Sequence, residues 1–227
     1  MTDDLRLESL RHRLIVSVQA DAGDPLDDPH ILAAMARAVV QGGAGAVRAG
    51  GPASIRAIRQ AVDVPIIGLY KVDYPDSPVY ITPTIKEARQ VVAAGCDLLA
   101  VDATQQPRPG GESLDSYFRA LKTEFSLPVV ADVSTLDEGI RAADLGADMV
   151  ATTLAGYTPY SRQLDGPDFQ LAADLVARLN VPVIVEGRIR TPAEARHALE
   201  LGAFAVVVGS MITRPGAITA YFLSGMM

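Results

Sequence analysis

The chain has no tryptophan, and its aromatic residues amount to only 5% of 227 positions. A core built from it must be aliphatic, and hydrophobic residues at 49% supply one. There is one cysteine, Cys96, which excludes an internal disulfide and fits a reducing compartment. No stretch approaches the roughly 18–20 apolar residues of a membrane span. No Lys/Arg run is present and the net charge is −7, which argues against a nucleic-acid surface. An anionic ligand stays compatible with that charge, because local backbone N–H groups can outweigh a global field. The N-terminal apolar run Leu14–Val18 is too short for a signal peptide, so the expected location is cytoplasmic.

What is present is a weak internal repeat. V-P-I-I (Val64–Ile67), L-P-V-V (Leu127–Val130) and V-P-V-I (Val181–Ile184) each read as a strand opened by proline. In GGAGAVRAG, AGCDLLAVDAT, LGADMVATTL and LGAFAVVVGS a helix closes at glycine and a buried strand follows. The spacing predicts strands over Leu14–Gln19, Ala44–Arg48, Pro65–Lys71, Leu98–Asp102, Val129–Asp132, Met149–Thr153, Val183–Glu186 and Ala205–Val208. Amphipathic helices are expected over Asp28–Gln41, Ile85–Ala94, Leu114–Phe125, Leu136–Leu145, Asp168–Leu179 and Pro192–Leu201. Eight such units in a chain of this length predict one α/β domain over residues 1–227, a (β/α)8 TIM barrel. A doubly wound open sheet is the alternative, and the evenness of the repeat favours closure.

In a barrel of this kind the chemistry sits where strands exit into βα loops. The residues there are Gln19, Arg48, Lys71, Asp102, Thr104, Asp132, Thr153, Glu186, Gly209 and Ser210. Lys71 ends the apolar run VPIIGLYK. Burying its ammonium costs several kcal/mol or lowers its pKa, so it reads as a base or an amine nucleophile. Glu186 follows VPVIV and needs a nearby cation, from Lys71, Arg188 or Arg48; for Lys71 with Glu186 a functional reading is favoured over a structural ion pair. Asp102 and Thr153 read equally well as helix caps. Asp132 is freer to act, since Ser134 or Thr135 can cap the helix after it. His12, His30 and His197 lie away from strand ends, so neither an imidazole base nor a metal-ligand set is expected. Gly187, Gly209, Ser210 and Arg214 follow strands seven and eight, where barrels commonly bind phosphate on backbone amides. The expected ligand is a small phosphorylated molecule, and the loop Val72–Thr84 reads as a cover over it.

The segments LIVSVQADAGDPL, PIIGLYKVDYPDSPVYITPT, VDATQQPRP, ADVSTLDEG, ATTLAGYTPYS…GPDF, VEGRIRTPAEA and VVVGSMITRP together resemble the bacterial N-acetylmannosamine-6-phosphate 2-epimerase family. Departures are Val18 for a usual Cys, Val72 for a usual Arg, and Gln106 for a common Arg. The resemblance implies inversion at C2 of a phosphorylated N-acetylhexosamine in sialic-acid breakdown, with no cofactor. It implies Lys71 as the catalytic amine and Glu186 as its acidic partner. Gln19, Arg48 and Asp132 would position substrate or assist. Gly187, Gly209, Ser210 and Arg214 would form the phosphate end. A Schiff-base aldolase using Lys71, or a silent phosphosugar-binding barrel, are the competing readings. The apolar segment Ala217–Met227 can seal the barrel or pack against a partner, and the resemblance points to a homodimer.

Overall fold

The computed structural model describes residues 7–226. Eight parallel strands form a closed barrel, each hydrogen-bonded to the next and the last to the first. They are β1 (Leu14–Val18), β2 (Ala46–Gly50), β3 (Ile66–Leu69), β4 (Leu98–Asp102), β5 (Val129–Asp132), β6 (Met149–Ala151), β7 (Val183–Glu186) and β8 (Ala205–Val208). The helices are α1 (Pro29–Gln41), α2 (Pro52–Ala61), α3 (Ile85–Ala93), α4 (Leu114–Glu124), α5 (Leu136–Asp144), α6 (Phe169–Arg178) and α7 (Pro192–Glu200). A short α8 (Ser210–Thr213) and α9 (Pro215–Ser224) follow β8. Three of these helices were not among those named from the sequence: α2, between β2 and β3, and α8 and α9, after β8.

The prolines and glycines of the repeat do defined work. Pro65, Pro128 and Pro182 lack an N–H, but their carbonyls accept from Val47, Leu99 and Val150 on the preceding strands at 2.9–3.0 Å. Gly95 ends α3 in the left-handed region, with φ +94°. Thr84, Thr135 and Thr191 open α3, α5 and α7 with reciprocal capping boxes to Glu87, Glu138 and Glu194.

Period-two alternation sorts every strand into two faces. Ile15, Ala46, Ile67, Leu98, Val130, Met149, Ile184 and Ala205 fill the barrel interior. Val16, Val47, Ile66, Leu99, Val129 and Val150 face the helices. Continuing the inward set towards the strand C-termini reaches Ser17, Arg48, Asp102, Asp132, Thr153 and Glu186. The aliphatic interior therefore ends in a polar layer, and that layer underlies the site.

Four strand ends differ from expectation. Gly43 and Ala44 still bond back to α1, so β2 starts later and Arg48 lies within the strand rather than at its end. β1 and β6 stop one and two residues early. β3 stops at Leu69, because Lys71 pairs antiparallel with Ile81 of its own loop.

Candidate active site

A cavity of about 710 Å³ opens at the C-terminal ends of the strands. On its inner side Arg48 reaches across the barrel from β2 to β5. Its Nη1 and Nη2 donate to Asp132 Oδ1 and Oδ2 at 3.1 and 2.5 Å. Nη1 also stands 3.2 Å from Glu186 Oε2. Burial alone would lower the guanidinium's proton affinity, but Asp132 and Glu186 outweigh it and raise it. Arg48 is a fixed cation between two carboxylates.

Glu186 has the opposite balance. Burial pushes its carboxyl up, against the lowering pull of Arg48. The Thr153 hydroxyl lies 3.0 Å from Glu186 Oε2 and 2.7 Å from Asp132 Oδ1, tying the two acids together. Below, the Thr152 hydroxyl donates to the Glu186 carbonyl at 2.8 Å and accepts from its N–H at 3.0 Å, which fixes the backbone. A carboxyl whose proton affinity burial raises, on a rigid mount beside the cavity, can exchange a proton with a ligand oxygen.

Lys71 stands at the mouth. Its side chain is 42% exposed, but towards a concave wall that withdraws part of its hydration. That desolvation lowers its pKa. Asp21 opposes the shift, and Arg214 and Arg48 reinforce it. The nearest carboxylate is Asp21, whose Oδ1 is 3.8 Å from Nζ. Asp21 also accepts from both terminal nitrogens of Arg214, at 2.7 and 3.1 Å. Tyr80 adds a neutral phenol to the lining, its pKa pushed up to about 12 by burial and by the nearby carboxylates.

The loops after β7 and β8 form the other side, with Gly187, Arg190, Gly209, Ser210 and Arg214. Gly209 precedes α8 with no side-chain cap on the helix. Arg188, itself at φ +56°, donates to the carbonyls of Ala155 and Gly156 at 2.6 and 3.0 Å. It also lies over the Tyr157 ring at 4.5 Å. A Cβ on Gly156 would come within 2.6 Å of this guanidinium, so glycine is what lets the loops after β6 and β7 lock together.

Of the residues singled out from the sequence, Lys71, Glu186, Gln19, Arg48, Thr153, Gly187, Gly209, Ser210 and Arg214 all line this one cavity. Four readings meet a different geometry in the structure. Lys71 and Glu186 form no ion pair; of the three cations the sequence offered Glu186, Arg48, now inside β2, is the one beside it. Asp132 is wholly buried and does not line the cavity, because Arg48 and Thr153 occupy its oxygens. Asp102 is likewise buried and does not line the cavity. It turns onto Thr104 N and Oγ1 at 2.9 and 2.7 Å, leaves Oδ2 unpartnered, and is raised to about 6 by burial. The loop Val72–Thr84 is no general cover either. Tyr74, Ser77 and Asp76 fasten it to Glu87, Pro107 and Gly110, and only Tyr80 and Ile81 of it reach the cavity. The sequence reading missed Asp21, Tyr80, Tyr157 and Arg190. They lie past the strand ends, where alternation no longer tells which way a side chain points.

Comparison with known proteins agrees with this geometry. The family model described as "Putative N-acetylmannosamine-6-phosphate epimerase" matches residues 32–227. The chain belongs to the N-acetylmannosamine-6-phosphate epimerase family. Relatives named "Putative N-acetylmannosamine-6-phosphate 2-epimerase" include one from Caldanaerobacter subterraneus subsp. tengcongensis, 48% identical over 96% of this chain and 92% of its own. Another, from Clostridium perfringens, is 47% identical over 95% and 97%. The solved structure of the N-acetylmannosamine-6-phosphate 2-epimerase from Clostridium perfringens superposes with a TM-score of 0.93 at 46% identity, covering 96% of this chain and 95% of that one. Epimerase-family membership and the closed barrel therefore stand together. At 16% identity and a TM-score of 0.58, thiamine phosphate pyrophosphorylase from Pyrococcus furiosus shares the fold alone.

Proposed function

We propose that this chain interconverts N-acetylmannosamine 6-phosphate and N-acetylglucosamine 6-phosphate by inverting C2, with Lys71 as the base. The observation that carries the reading is an amine of lowered proton affinity in the same cavity as Glu186. In the open-chain aldehyde the C2 proton is α to a carbonyl. Lys71 Nζ takes that proton as the C2–H pair moves into the enolate, and the ammonium, whose other hydrogens come from solvent, gives one to the opposite face after the intermediate turns. An ordinary lysine, near pKa 10.4, is too protonated at neutral pH for this work, and desolvation corrects it in the right direction. Glu186 exchanges the proton needed at O1 or O5 when the ring opens. Arg48 and Gln19 face the developing oxyanion. Asp132 acts through Arg48, as a positioning residue. Gly187, Gly209, Ser210 and Arg214 receive the phosphate. The setting is cytoplasmic sialic-acid breakdown, and no helix among the described residues is long and apolar enough to cross a membrane.

Proton NMR in D₂O tests it. N-acetylmannosamine 6-phosphate is expected to gain deuterium at C2 as the gluco epimer appears. Epimer formation without exchange, or no reaction, contradicts the reading.

The assembly is a homodimer. α9 buries none of its residues, and Tyr221, Phe222 and Leu223 are 45–67% exposed. An apolar groove of about 500 Å³ runs over the outside of β8 and β1, past Leu14, Leu199, Val206, Val208, Met211 and Ile212. A second copy's α9 offers what this wall needs, and so much exposed apolar surface is unusual for a monomer. Sedimentation equilibrium is expected to give twice the chain mass, and Phe222→Glu with Leu223→Glu to give the monomer. A monomeric parent protein contradicts the assignment.

A further inference from the structure

We propose that Asp21 is an internal competitor for the phosphate of the substrate, which must displace it from Arg214. The proposal rests on the reading of Arg214 as part of the phosphate end and specifies how that end is loaded. Asp21 grips the guanidinium with both oxygens, at 2.7 and 3.1 Å. It is itself 59% exposed, and Arg214 is 34% exposed. An ion pair so open contributes little to folding, less than about a fivefold shift in an equilibrium. It does hold a cation of the cavity wall in a carboxylate clamp. A phosphate dianion beside Arg214 would lie next to this carboxylate, and like charges at that range repel. Two negative charges replacing one make the exchange favourable for a phosphoryl group.

The displaced carboxylate has a place to go. Asp21 Oδ1 is already 3.8 Å from Lys71 Nζ. The charged groups that act on Lys71 are Asp21, Arg214, Arg48 and Glu186. Among the described residues Asp21 alone forms ion pairs with both the base and the arginine expected to hold phosphate, and it links occupancy of one to the charge of the other. It is a specificity-determining residue rather than a proton carrier.

Titration calorimetry with inorganic phosphate at pH 8, on Asp21→Asn and on Arg214→Gln, tests this. Asp21→Asn is expected to bind phosphate about two- to tenfold more tightly than the parent. Its acid limb of kcat/KM is expected to move to lower pH, because removing an anion beside Lys71 leaves the amine neutral at lower pH. A structural role alone would not move that limb. Arg214→Gln is expected to weaken phosphate at least about tenfold, the scale of one charge-assisted contact. If Arg214→Gln weakens phosphate while Asp21→Asn binds it equally or more weakly, the competition is refuted and the phosphate end stands. If Arg214→Gln leaves binding unchanged, the phosphate end is misplaced and the competition falls with it.

Discussion

Lys71→Ala is expected to lose epimerisation and C2 deuterium exchange together, by on the order of 10⁴-fold in kcat, the upper range for removing one general base. Among the described residues no histidine lines the cavity to mask the loss. The histidines are on the surface, and His197 packs edge-on to Phe169 at 4.7 Å. Glu186 is tied to Arg48 and Thr153. Binding of the phosphorylated product is expected to survive within a few fold, since Gly187, Gly209, Ser210 and Arg214 are untouched. In the parent, activity is expected to fall as pH drops through the Lys71 pKa, because the protonated amine accepts nothing. That midpoint is expected below the usual 10.5, in line with the desolvation of Nζ. An acid limb centred at or above 10.5 contradicts the assignment of the base. Borohydride reduction in the presence of substrate separates the base from a nucleophile. A covalent adduct on Lys71 would establish a Schiff base and overturn proton transfer.

Much of this was legible in the chain, for reasons that differ between parts. The barrel follows from local rules repeated many times. Pro65, Pro128 and Pro182 mark strand starts, Gly95 and its counterparts mark helix ends, and each rule holds whatever the rest of the molecule does. Lys71, Glu186 and Thr153 were found because they continue strands whose alternation fixes their side. The pairings were not legible. Arg48 and Asp132 are 84 positions apart and meet only because β2 and β5 face each other across the closed ring. Sequence order gives Glu186 a choice of cations. It does not say that Arg48, two residues deeper in its strand than expected, claims Glu186 and leaves Lys71 to Asp21. Asp102 and Asp132 show the same limit. Both end strands on the inward face, and the match of their positions conceals that other polar residues cover them.

Asp132→Ala is expected to be the most destabilising substitution in the site. It removes both close contacts of Arg48, a guanidinium 1% exposed, and leaves Glu186 as its one carboxylate neighbour at 3.2 Å. Breaking a buried pair in this way costs about 3–5 kcal/mol, because the surviving charge stays desolvated. For a domain of this size that corresponds to a drop of about 6–20 °C in Tm. The Nε of Arg48 already lacks a partner, so no spare acceptor waits to rescue it. The control is Arg48→Met with Asp132→Leu, which removes both charges and fills the space. Its stability is expected to recover most of the loss, since apolar replacements of buried pairs are often neutral. Activity is not expected to recover. Losing Arg48 removes the largest lowering influence on Glu186, more than the loss of the Asp132 charge gives back, so its carboxyl moves further up. A raised carboxyl holds its proton in the folded state, so the double variant is expected to lose stability as pH rises above the ordinary carboxyl range. Thermal denaturation across that rise in pH measures both effects. A single variant within about 1 kcal/mol of the parent would show that the cross-barrel pair carries little of the fold. Recovery of activity in the double variant would show that Arg48 is not needed for the oxyanion.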